Sequence, residues 1–462
     1  MAGDVEVLVR LGLAHDAATD LPRLPAERVA PANARRRALL RRIAGGGGFA
    51  HKGTKPHLGP LSPGCVRCGE RAWSCMFLNH FCNGGCFFCP DAMDSQGAPP
   101  FAERFVFRSP DAYARYVERL GFRGVSFSGG DPFLALDSLV AHVDAVRDRL
   151  GDRAYVWVYT NGSAARGARL ERIAAGGGVD ELRFNIAAWD YDLAAVAAAV
   201  DTGLRVTVEI PAVPEDRARL ARLLPELARL GVAHLNLHQL MVLGANGPAL
   251  RARPYSFTTS AVPAVIESEL CALELMAFAV AEGVPLPINY CGLIYKERWQ
   301  NATLELRAAT LVAQPCEEVV ETGLLRRLWL PGDGAAAATL VARAAASGEP
   351  AARWRRDPES DALCAHPALL RHLDAPVADA FVTYHRCLLL GAADGVEDDG
   401  AAATHPCHEV DLGPGGRLVV MVVPASPPIP LDVGAARALR AGDTPAALLA
   451  WEQVRFGLPD YA

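Results

Sequence analysis

The sequence predicts an α/β protein whose central part is a partial (β/α)6 barrel, preceded by a cysteine-rich extension and followed by a separate α+β unit. Two observations lead to this class. From about residue 73 to about residue 300, short apolar runs of strand-like composition alternate with amphipathic helical stretches, which is the pattern of βα units around a parallel sheet. We count about six such units, fewer than the eight that close a complete barrel.

The βα units can be followed in order along the chain. The predicted strands are the apolar runs at residues 73–78, 124–127, 155–159, 181–186, 205–210 and 235–240. The first long helix is predicted to begin at Pro110, because Ser109 is a suitable N-cap and proline is favoured at the first helical position. Tyr113, Tyr116 and Val117 then share one face of that helix. Because the chemistry of parallel sheets lies at the carboxyl ends of the strands, we expect the loops after these runs to carry function.

The chain is long enough, at 462 residues, for two or three units with separate cores. Residues 1–58 form a leader with four consecutive glycines at 45–48, and such a run predicts a flexible joint. Residues 59–310 hold the barrel and the cysteine-rich segment before it. Residues 311–462 lose the alternation and contain Ala-rich stretches and an apparent hairpin around residues 413–416. They are predicted as an α+β unit.

The charge balance excludes a broad basic surface. The chain has 46 Lys and Arg against 52 Asp and Glu, a net charge of −6, so nucleic acid and anionic membranes are not expected partners. The most apolar stretch, residues 418–423, is too short to span a bilayer. The first residues lack the charged and apolar regions of an export signal. We therefore expect a cytoplasmic protein.

Cysteine usage is the most informative part of the composition. Six of the twelve cysteines lie between residues 65 and 89, and the other six are scattered. Secreted disulfide scaffolds are small and spread their bridges along the chain. A dense cluster in a large chain without an export signal instead indicates metal ligation in a reducing compartment.

The sharpest signal is the segment CNGGCFFC at residues 82–89, which places three thiols on one tight loop. Thiolates are soft ligands that suit zinc or iron–sulfur clusters. A closed structural zinc site takes four ligands. Three ligands on a single loop instead leave one iron of a four-iron cluster without a protein ligand, open to a further molecule. A zinc site and a passive ferredoxin-like cluster are the alternatives for this loop.

Together with two later motifs, this loop resembles the cluster motif of the radical S-adenosylmethionine (SAM) enzymes, Cx3CxφC, in which the aromatic φ residue is here Phe88. The segment SGGDP at residues 128–132 is similar to the family's GGE motif, with Asp131 in place of glutamate. The segment TNG at residues 160–162 ends the next predicted strand, as it often does in such enzymes. The resemblance covers residues 73 to about 300 and implies a radical SAM barrel.

The resemblance implies roles for individual residues. Cys82, Cys86 and Cys89 would hold a [4Fe-4S] cluster, and the amino and carboxylate groups of SAM would chelate its open iron. The residues that would contact or support SAM are Phe88 along the adenine, Gly129 and Gly130 beside the ammonium group, Asp131 in the same turn, Asn161 facing the SAM carboxylate or the substrate, Asn185 at the ribose hydroxyls and Gln239 at the adenine. The roles of Asn185 and Gln239 rest on their place at predicted strand ends.

The same resemblance implies a reaction. An electron from a reductant such as flavodoxin or ferredoxin would pass through the cluster to the sulfonium of SAM and cleave a carbon–sulfur bond. The products would be methionine and a 5′-deoxyadenosyl radical, which abstracts a hydrogen atom from the substrate. The cofactors supply this chemistry, while the protein supplies orientation and the exclusion of water.

A second group of cysteines, Cys65, Cys68 and Cys75, lies immediately before the first loop. Cys291 follows an apparent strand at the end of the barrel and is the candidate for a fourth ligand. An auxiliary iron–sulfur cluster, a zinc ion and no metal at all stay open for this group, because a lone CxxC is a weak metal signal. The segments KGTKPH at 52–57, SPGC at 62–65 and NYC at 289–291 resemble a radical SAM subgroup related to pyruvate formate-lyase activating enzyme.

Two residues are candidates for substrate chemistry. Glu209, in the fifth predicted strand, would act as a general base or bind a substrate hydroxyl. The alternative is a carboxylate paired with Arg183 of the neighbouring strand. His238, in the sixth strand, either faces the substrate or is a satisfied core histidine. Lys52 and Lys55 are further candidates, as anion contacts from the leader, and so are Tyr290, Tyr295 and Lys296, as residues near the same opening.

The sequence thus predicts a radical SAM enzyme, of the oxidoreductase or lyase type, that acts on a small polar molecule. One version follows from a general resemblance to a radical SAM diol dehydratase: hydrogen abstraction from a sugar-like diol and then loss of water assisted by Glu209. An activase that installs a glycyl radical on a partner protein is the second hypothesis. A metal-binding interaction module without enzymatic activity is the third.

Overall fold

The computed structural model of the protein describes residues 21–90, 99–103, 105–332, 334–358, 360–373, 380–391, 406–413 and 416–462. The chain divides into two compact units, one formed by residues up to 300 with residues 456–462 and the other by residues 301–455. The predicted boundary at residue 311 falls inside the second unit, because helix Thr303–Val312 packs on strand Phe381–Gly391 of that unit. Residues 1–20 of the predicted leader lie outside the described residues.

The first unit is built on one large sheet. Its strands are β1 (Gly47–Phe49), β2 (Lys55–Leu58), β3 (Trp73–Phe77), β4 (Phe101–Ala102), β5 (Phe105–Val106), β6 (Gly124–Ser128), β7 (Tyr155–Thr160), β8 (Glu181–Phe184), β9 (Arg205–Pro211), β10 (His234–His238) and β11 (Ile288–Cys291). Over the described residues their order is β1-β2-β11-β10-β9-β8-β7-β6-β3-β4-β5. Strands β3 and β6 to β11 are parallel to one another, and short antiparallel strands extend both edges.

The parallel strands form the partial barrel that the sequence predicts. The helices that alternate with them are Pro110–Arg119, Leu136–Leu150, Gly167–Gly176, Ala194–Asp201, Arg217–Leu230, Gly247–Arg251 and Ile266–Ala281. All six predicted strands are present, and β11 adds a further parallel strand after them. It is the apparent strand that the sequence indicates at Cys291, and Cys291 is its last residue. The predicted fold class is confirmed.

Helix Pro110–Arg119 begins where the sequence predicts. The Ser109 side chain accepts a hydrogen bond at 3.2 Å from the backbone N–H three residues later. Tyr113, Tyr116 and Val117 are fully buried on one face of this helix. Burial of large apolar side chains contributes roughly 1.5–3 kcal/mol each, so this face holds the helix against the sheet.

The described part of the leader packs into the first unit. Helix Ala26–Ala44 ends at the glycine run, and Gly47 and Gly48 belong to β1. A Cβ at Gly47 would lie 2.1 Å from the carbonyl oxygen of His57 in β2, so the close approach of two strands accounts for glycine there. The predicted flexible joint at residues 45–48 is therefore wrong, because a run of glycines serves close packing as well as freedom of motion.

The second unit is α+β, as predicted. Its strands are β12 (Glu317–Val319), β13 (Leu325–Leu330), β14 (Trp354–Arg356), β15 (Leu363–Ala365), β16 (Phe381–Gly391), β17 (Cys407–Asp411), β18 (Arg417–Pro424) and β19 (Ile429–Pro430), and its helices are Thr303–Val312, Ala335–Ala346, Val433–Ala441 and Leu449–Glu452. Strands β17 and β18 pair antiparallel as the predicted hairpin, whose residues 414–415 lie outside the described residues. In the part of the chain that is described, no helix combines the length and the apolar character needed to cross a bilayer.

Candidate active site

The carboxyl ends of strands β6 to β10 surround a cavity of about 360 Å³. The three cysteines of the predicted cluster loop, Cys82, Cys86 and Cys89, all line it. The other predicted site residues on its wall are Phe88, Gly130, Asn161, Asn185, Glu209, His238 and Gln239. Gly129 and Asp131 are not among the lining residues. The fold thus brings most of the residues predicted for the cluster, SAM and the substrate to one place.

The cysteine loop is packed against the turn at residues 128–132. Gly129 and Gly130 have φ angles of +76° and +63°, in the left-handed region that favours glycine. A Cβ at Gly130 would lie 2.2 Å from the carbonyl oxygen of Phe81. The backbone N–H of Asp131 donates to that same oxygen at 2.8 Å. The glycine pair is therefore needed for the turn to approach the loop.

Asp131 joins this turn to the end of strand β7. Its carboxylate accepts hydrogen bonds from the Thr160 hydroxyl at 3.0 Å, the Asn161 N–H at 2.9 Å and the Phe133 N–H at 3.0 Å. The residue is 1% exposed; burial raises its pKa, and the three donors act in the opposite direction. Asp131 is a positioning residue here, although the sequence grouped it with the cofactor contacts.

The sulfur atoms of the loop face hydrogen-bond donors. Asn161 Nδ2 and the Gly84 N–H each lie 3.4 Å from Cys82 Sγ, and Asn185 Nδ2 lies 3.9 Å from Cys86 Sγ. Donors of this kind orient and tune metal-bound thiolates. Burial, with the two neighbouring cysteine thiols, raises the pKa of Cys86 to about 11, and a coordinated metal reverses this effect because it deprotonates the thiol. The loop therefore fits a thiolate-ligated cluster.

The three thiols of the loop border one cavity. In a four-iron cluster the cysteines bind separate iron atoms. Over the described ranges, no group of three or more His, Cys, Asp or Glu side chains is arranged to hold a metal ion, so the case for a cluster on this loop depends on its sequence motif and on the donors around its sulfur atoms.

Asn185 and Gln239 differ in what they offer to SAM. Asn185 Oδ1 is buried and has no hydrogen-bond partner among the described residues, and an orphaned buried acceptor is costly unless a ligand donates to it. The ribose hydroxyls expected at Asn185 would supply that donor. The Gln239 side chain is already engaged, because Nε2 donates to Val265 O at 3.1 Å and Oε1 accepts from Leu293 N at 2.9 Å. Gln239 thus braces the cavity wall, with one donor and one acceptor of its amide engaged.

Sequence reasoning missed Asn246, which supports the expected adenine contact. Asn246 Nδ2 donates to the carbonyl oxygens of Phe88 at 2.9 Å and Met241 at 3.0 Å, and its Oδ1 accepts from Leu243 N at 2.9 Å. These bonds hold the backbone of Phe88 at the edge of the cavity. No signal in the sequence marks Asn246, because it lies in a loop beyond the end of β10 and outside any motif.

Glu209 lies in a row of charged side chains along the cavity wall. Arg183 Nη1 donates to Glu209 Oε2 at 2.8 Å, Asn236 Nδ2 donates to the same oxygen at 2.7 Å, and His238 Nε2 lies 2.7 Å from Oε1. Burial works to raise the pKa of Glu209, but Arg183 and His238 hold it well below its usual range. The carboxylate is ionised and engaged at both oxygens. This is the pairing with Arg183 that the sequence left as an alternative, and it does not leave a free general base.

His238 and Lys296 continue this row of charges. Lys296 Nζ lies 3.4 Å from His238 Nδ1, and burial lowers the pKa of both groups. Because His238 Nε2 donates to Glu209, the hydrogen-bond network assigns Nδ1 as the acceptor from the lysine. Both side chains line the cavity. A proton can therefore be held at Lys296 Nζ, next to the space available to a substrate.

A smaller cavity of about 110 Å³ shares this row of charges. The residues that line both cavities are Tyr159, Arg183, Glu209, His238 and Lys296. Lys55, Cys65, Cys68 and Cys291 line only the smaller one. The sequence predicts Arg183 as the alternative partner of Glu209 and Lys55 as an anion contact from the leader, but nothing local marks Lys55 as an interior residue.

Cys75 is not among the residues that line the smaller cavity. Its thiol shares a hydrogen bond with Ser126, and burial raises its pKa to about 12. Three of the four cysteines that the sequence proposed as a second ligand group therefore line the smaller cavity, and Cys75 does not. Trp73, which shares a face of β3 with Cys75, does line it, so the face of the strand does not account for this difference.

Three comparisons with known proteins bear on this site. Residues 76–205 match the profile of the Radical SAM superfamily. A Methanocaldococcus jannaschii protein inferred to be a glycyl-radical enzyme activating enzyme is 23% identical over 279 residues, which cover 58% of this chain and 72% of that protein. The solved structure of Streptococcus suis SuiB bound to SAM aligns with a TM-score of 0.34 at 10% identity, covering 47% of this chain and 49% of SuiB. SuiB bound to the precursor peptide SuiA aligns with a TM-score of 0.28 at 12% identity, covering 35% of this chain and 38% of SuiB. The chain spans about half of the length of SuiB.

Proposed function

Because residues 76–205 form a radical SAM domain, we propose that the protein reductively cleaves SAM at a [4Fe-4S] cluster held by Cys82, Cys86 and Cys89 and then takes a hydrogen atom from a small polar molecule. The observation that carries the proposal is one cavity that joins these cysteines to the charged row around Glu209. The same cavity offers a place for the two cofactors of the superfamily and for a substrate beside them.

The protein's own part in this reaction is to bind and to orient. The bound cluster and SAM supply the one-electron chemistry, with the electron drawn from a flavodoxin or ferredoxin. The side-chain amides of Asn161 and Asn185 donate hydrogen bonds towards sulfur atoms of the loop. These contacts orient the thiols as ligands of the cluster. Asn185 Oδ1 has no hydrogen-bond partner among the described residues, so it is available to accept a hydrogen bond from a hydroxyl group of SAM. Asp131, in the glycine turn, accepts from the Asn161 N–H and so holds Asn161 in place.

The size and polarity of the cavity support a small polar substrate. Its volume of about 360 Å³ lies in the range of small-molecule sites, and SAM would take up much of it. Arg183, Glu209, His238 and Lys296 line the cavity, and buried polar groups require hydrogen-bonding partners. These four groups already pair with one another, and a substrate with hydroxyl, amino or carboxyl groups would use the hydrogen-bonding capacity that they have left.

The two residues predicted as catalytic take different parts in this proposal. Glu209 accepts hydrogen bonds from three side chains, so it positions His238 and does not take a proton from the substrate. His238 and Lys296 are the groups that hold or move a proton at the cavity. Dehydration of a diol is one form of the reaction, with Lys296 as the proton donor to the leaving hydroxyl, and oxidation of the substrate is the other form.

Activation of a glycyl-radical enzyme is a second candidate, and the Methanocaldococcus jannaschii relative favours it. In this case the hydrogen atom comes from a glycine of a partner protein, so a loop of the partner must enter the cavity. The two candidates share the cofactors and the cysteine loop. They differ in whether the substrate is a small molecule or a protein.

The test is anaerobic reconstitution with iron and sulfide, followed by an assay of 5′-deoxyadenosine with SAM and dithionite. The small-molecule fraction and the protein fraction of an extract from the source organism are added separately. We expect the small-molecule fraction to raise 5′-deoxyadenosine formation above the uncoupled background, and Lys296→Met to lose this increase while keeping the background. An increase with the protein fraction alone, accompanied by the electron paramagnetic resonance (EPR) signal of a glycyl radical, would establish the activase instead.

A further inference from the structure

We infer that Cys65, Cys68 and Cys291 bind a second iron–sulfur cluster in the smaller cavity, with Lys55 as its counter-charge and without Cys75. This inference goes beyond the proposed function, because the cleavage of SAM requires only the cluster of the first loop. It stands on the placement of three sulfur atoms, on the donors directed at two of them and on one buried lysine.

Two local features bring the three thiols together. Cys65 and Cys68 are three residues apart on helix Pro63–Gly69 and so share one face of it. Ser62 caps this helix, because its hydroxyl accepts a hydrogen bond from the Cys65 N–H at 3.2 Å. Cys291 is the last residue of β11, at the edge of the parallel strands. All three cysteines line the cavity of about 110 Å³.

Two of these sulfur atoms each face two hydrogen-bond donors. The donor–sulfur pairs are Tyr295 Oη and Gln300 Nε2 with Cys68 Sγ, at 3.2 and 3.1 Å, and Asn236 Nδ2 and Asn289 Nδ2 with Cys65 Sγ, at 3.5 and 3.8 Å. A neutral thiol is a weak acceptor, so buried donors gain little from it. A metal-bound thiolate accepts strongly, and donors at the sulfur set the reduction potential of an iron–sulfur cluster.

Lys55 supplies the positive charge that such a cluster needs. It is 1% exposed and lines the cavity, and it forms no ion pair with a carboxylate among the described residues. Its ammonium lies 4.0 Å from the centre of the Tyr295 ring, a contact that offsets only part of the loss of hydration. A buried ammonium is strongly unfavourable unless an anion lies beside it. A cluster ligated by three thiolates is such an anion.

The space between the three cysteines favours a cluster over a single ion. A structural zinc ion takes four ligands directly around one point, whereas the iron and sulfide of a cluster fill the space between its cysteines. Cys65, Cys68 and Cys291 border a cavity of about 110 Å³, and a cluster would fill this volume. Cys75 lies on the same segment of the chain but hydrogen-bonds with Ser126, so it provides a matched control.

The test is metal and sulfide analysis of the full chain after anaerobic reconstitution. Two four-iron clusters correspond to about eight iron atoms and about eight sulfides per chain. We expect Cys65→Ala, Cys68→Ala and Cys291→Ala each to reduce the iron content to about four. Cys82→Ala is expected to give the same content by removing the first cluster, and the double variant Cys65→Ala/Cys82→Ala to hold almost no iron. Cys75→Ala keeps the wild-type content.

Separate outcomes overturn the inference and the proposed function. A wild-type content of about four iron atoms, or stoichiometric zinc that disappears in Cys65→Ala, overturns the second cluster while leaving SAM cleavage intact. An equal loss of iron in Cys75→Ala and Cys65→Ala overturns the ligand assignment. Circular dichroism of each variant, together with the conservative Cys65→Ser, separates loss of a ligand from loss of the fold.

The role of Lys55 has its own measurement. In the Cys82→Ala background only the second cluster remains, so its midpoint potential can be followed by EPR. We expect Lys55→Gln to retain this cluster but lower its potential, because a positive charge beside it stabilises the reduced form. Lys55→Arg is expected to restore the potential. An unchanged potential in Lys55→Gln would overturn the role of Lys55 as the counter-charge.

Discussion

Replacing Asp131 with alanine tests how the glycine turn is joined to the end of strand β7. The carboxylate is 1% exposed and accepts hydrogen bonds from Phe133, Thr160 and Asn161. A buried donor left without its acceptor costs about 1–3 kcal/mol. Because losses at neighbouring groups do not add fully, we expect the free energy of unfolding of the first unit to fall by about 3–5 kcal/mol.

The assay is urea unfolding of the metal-free protein, monitored by far-ultraviolet circular dichroism. Asp131→Asn keeps one oxygen as an acceptor, so we expect it to lose about half as much stability as the alanine variant. Asp137→Ala is the matched control, because that side chain is 92% exposed and its ion pair with Arg172 lies at the surface. Removing an exposed ion pair of this kind changes stability by about 0–1 kcal/mol.

SAM binding by the reconstituted variants is the second measurement. We expect Asp131→Ala to bind SAM weakly because Asn161 loses its fixed position. Equal stabilities of Asp131→Ala and Asp137→Ala would refute the claim that this carboxylate joins the two motifs. A variant of wild-type stability that fails to bind SAM would instead return Asp131 to the direct cofactor contacts.

Three further predictions follow from the same contacts. Gly130→Ala is expected to lower stability by at least about 2 kcal/mol and to prevent cluster assembly, because the new Cβ would lie 2.2 Å from Phe81 O; an iron-loaded Gly130→Ala protein would contradict this. Asn185→Ala is expected to weaken SAM binding about tenfold, or about 1.4 kcal/mol, through loss of its free acceptor; equilibrium dialysis that finds wild-type affinity would argue against this contact. Since the pKa of Glu209 lies well below its unfolded value of about 4.3, the stability supplied by this carboxylate is complete above that pH and is lost as the pH falls further below it. Glu209→Gln should therefore flatten the acid side of a curve of stability against pH, and two parallel curves would refute the ion pairing.

Much of the fold is predictable because its signals are local. The alternation of apolar runs and helical stretches is set by the periods of strands and helices, and it placed the strands of the barrel near their true bounds. The cap at Ser109 is fixed by one residue and its following proline. The cysteine loop, the glycine turn and Asn161 all lie in short motifs directly after strands, so a parallel sheet brings them together without further information.

The parts of the site that the sequence could not predict depend on contacts between distant segments. Gln239 lies at a strand end, as expected, but Val265 and Leu293 engage its amide. Asn246 supports Phe88 across a separation of 158 residues. Lys55 enters the smaller cavity because β2 pairs with β11. Such partners are set by the tertiary packing, and no local pattern reports them.

The two groups of cysteines also differ in whether a local pattern predicts them. The spacing of Cys82, Cys86 and Cys89 marks them as one set because all three lie on a single loop. The second set spans the chain from Cys65 to Cys291, so the sequence alone could not decide its membership. Whether a cysteine reaches a given cavity depends on the tertiary packing around it, and a CxxC pattern does not contain that information.

The formation of 5′-deoxyadenosine from SAM tests the central claim most directly. The reconstituted wild-type protein is incubated anaerobically with SAM and dithionite, alongside Cys82→Ala and the control Cys75→Ala. The account predicts 5′-deoxyadenosine from the wild type and from Cys75→Ala, and none above background from Cys82→Ala. Cleavage of SAM by Cys82→Ala at the wild-type rate, or no cleavage by an iron-loaded wild type, would contradict it.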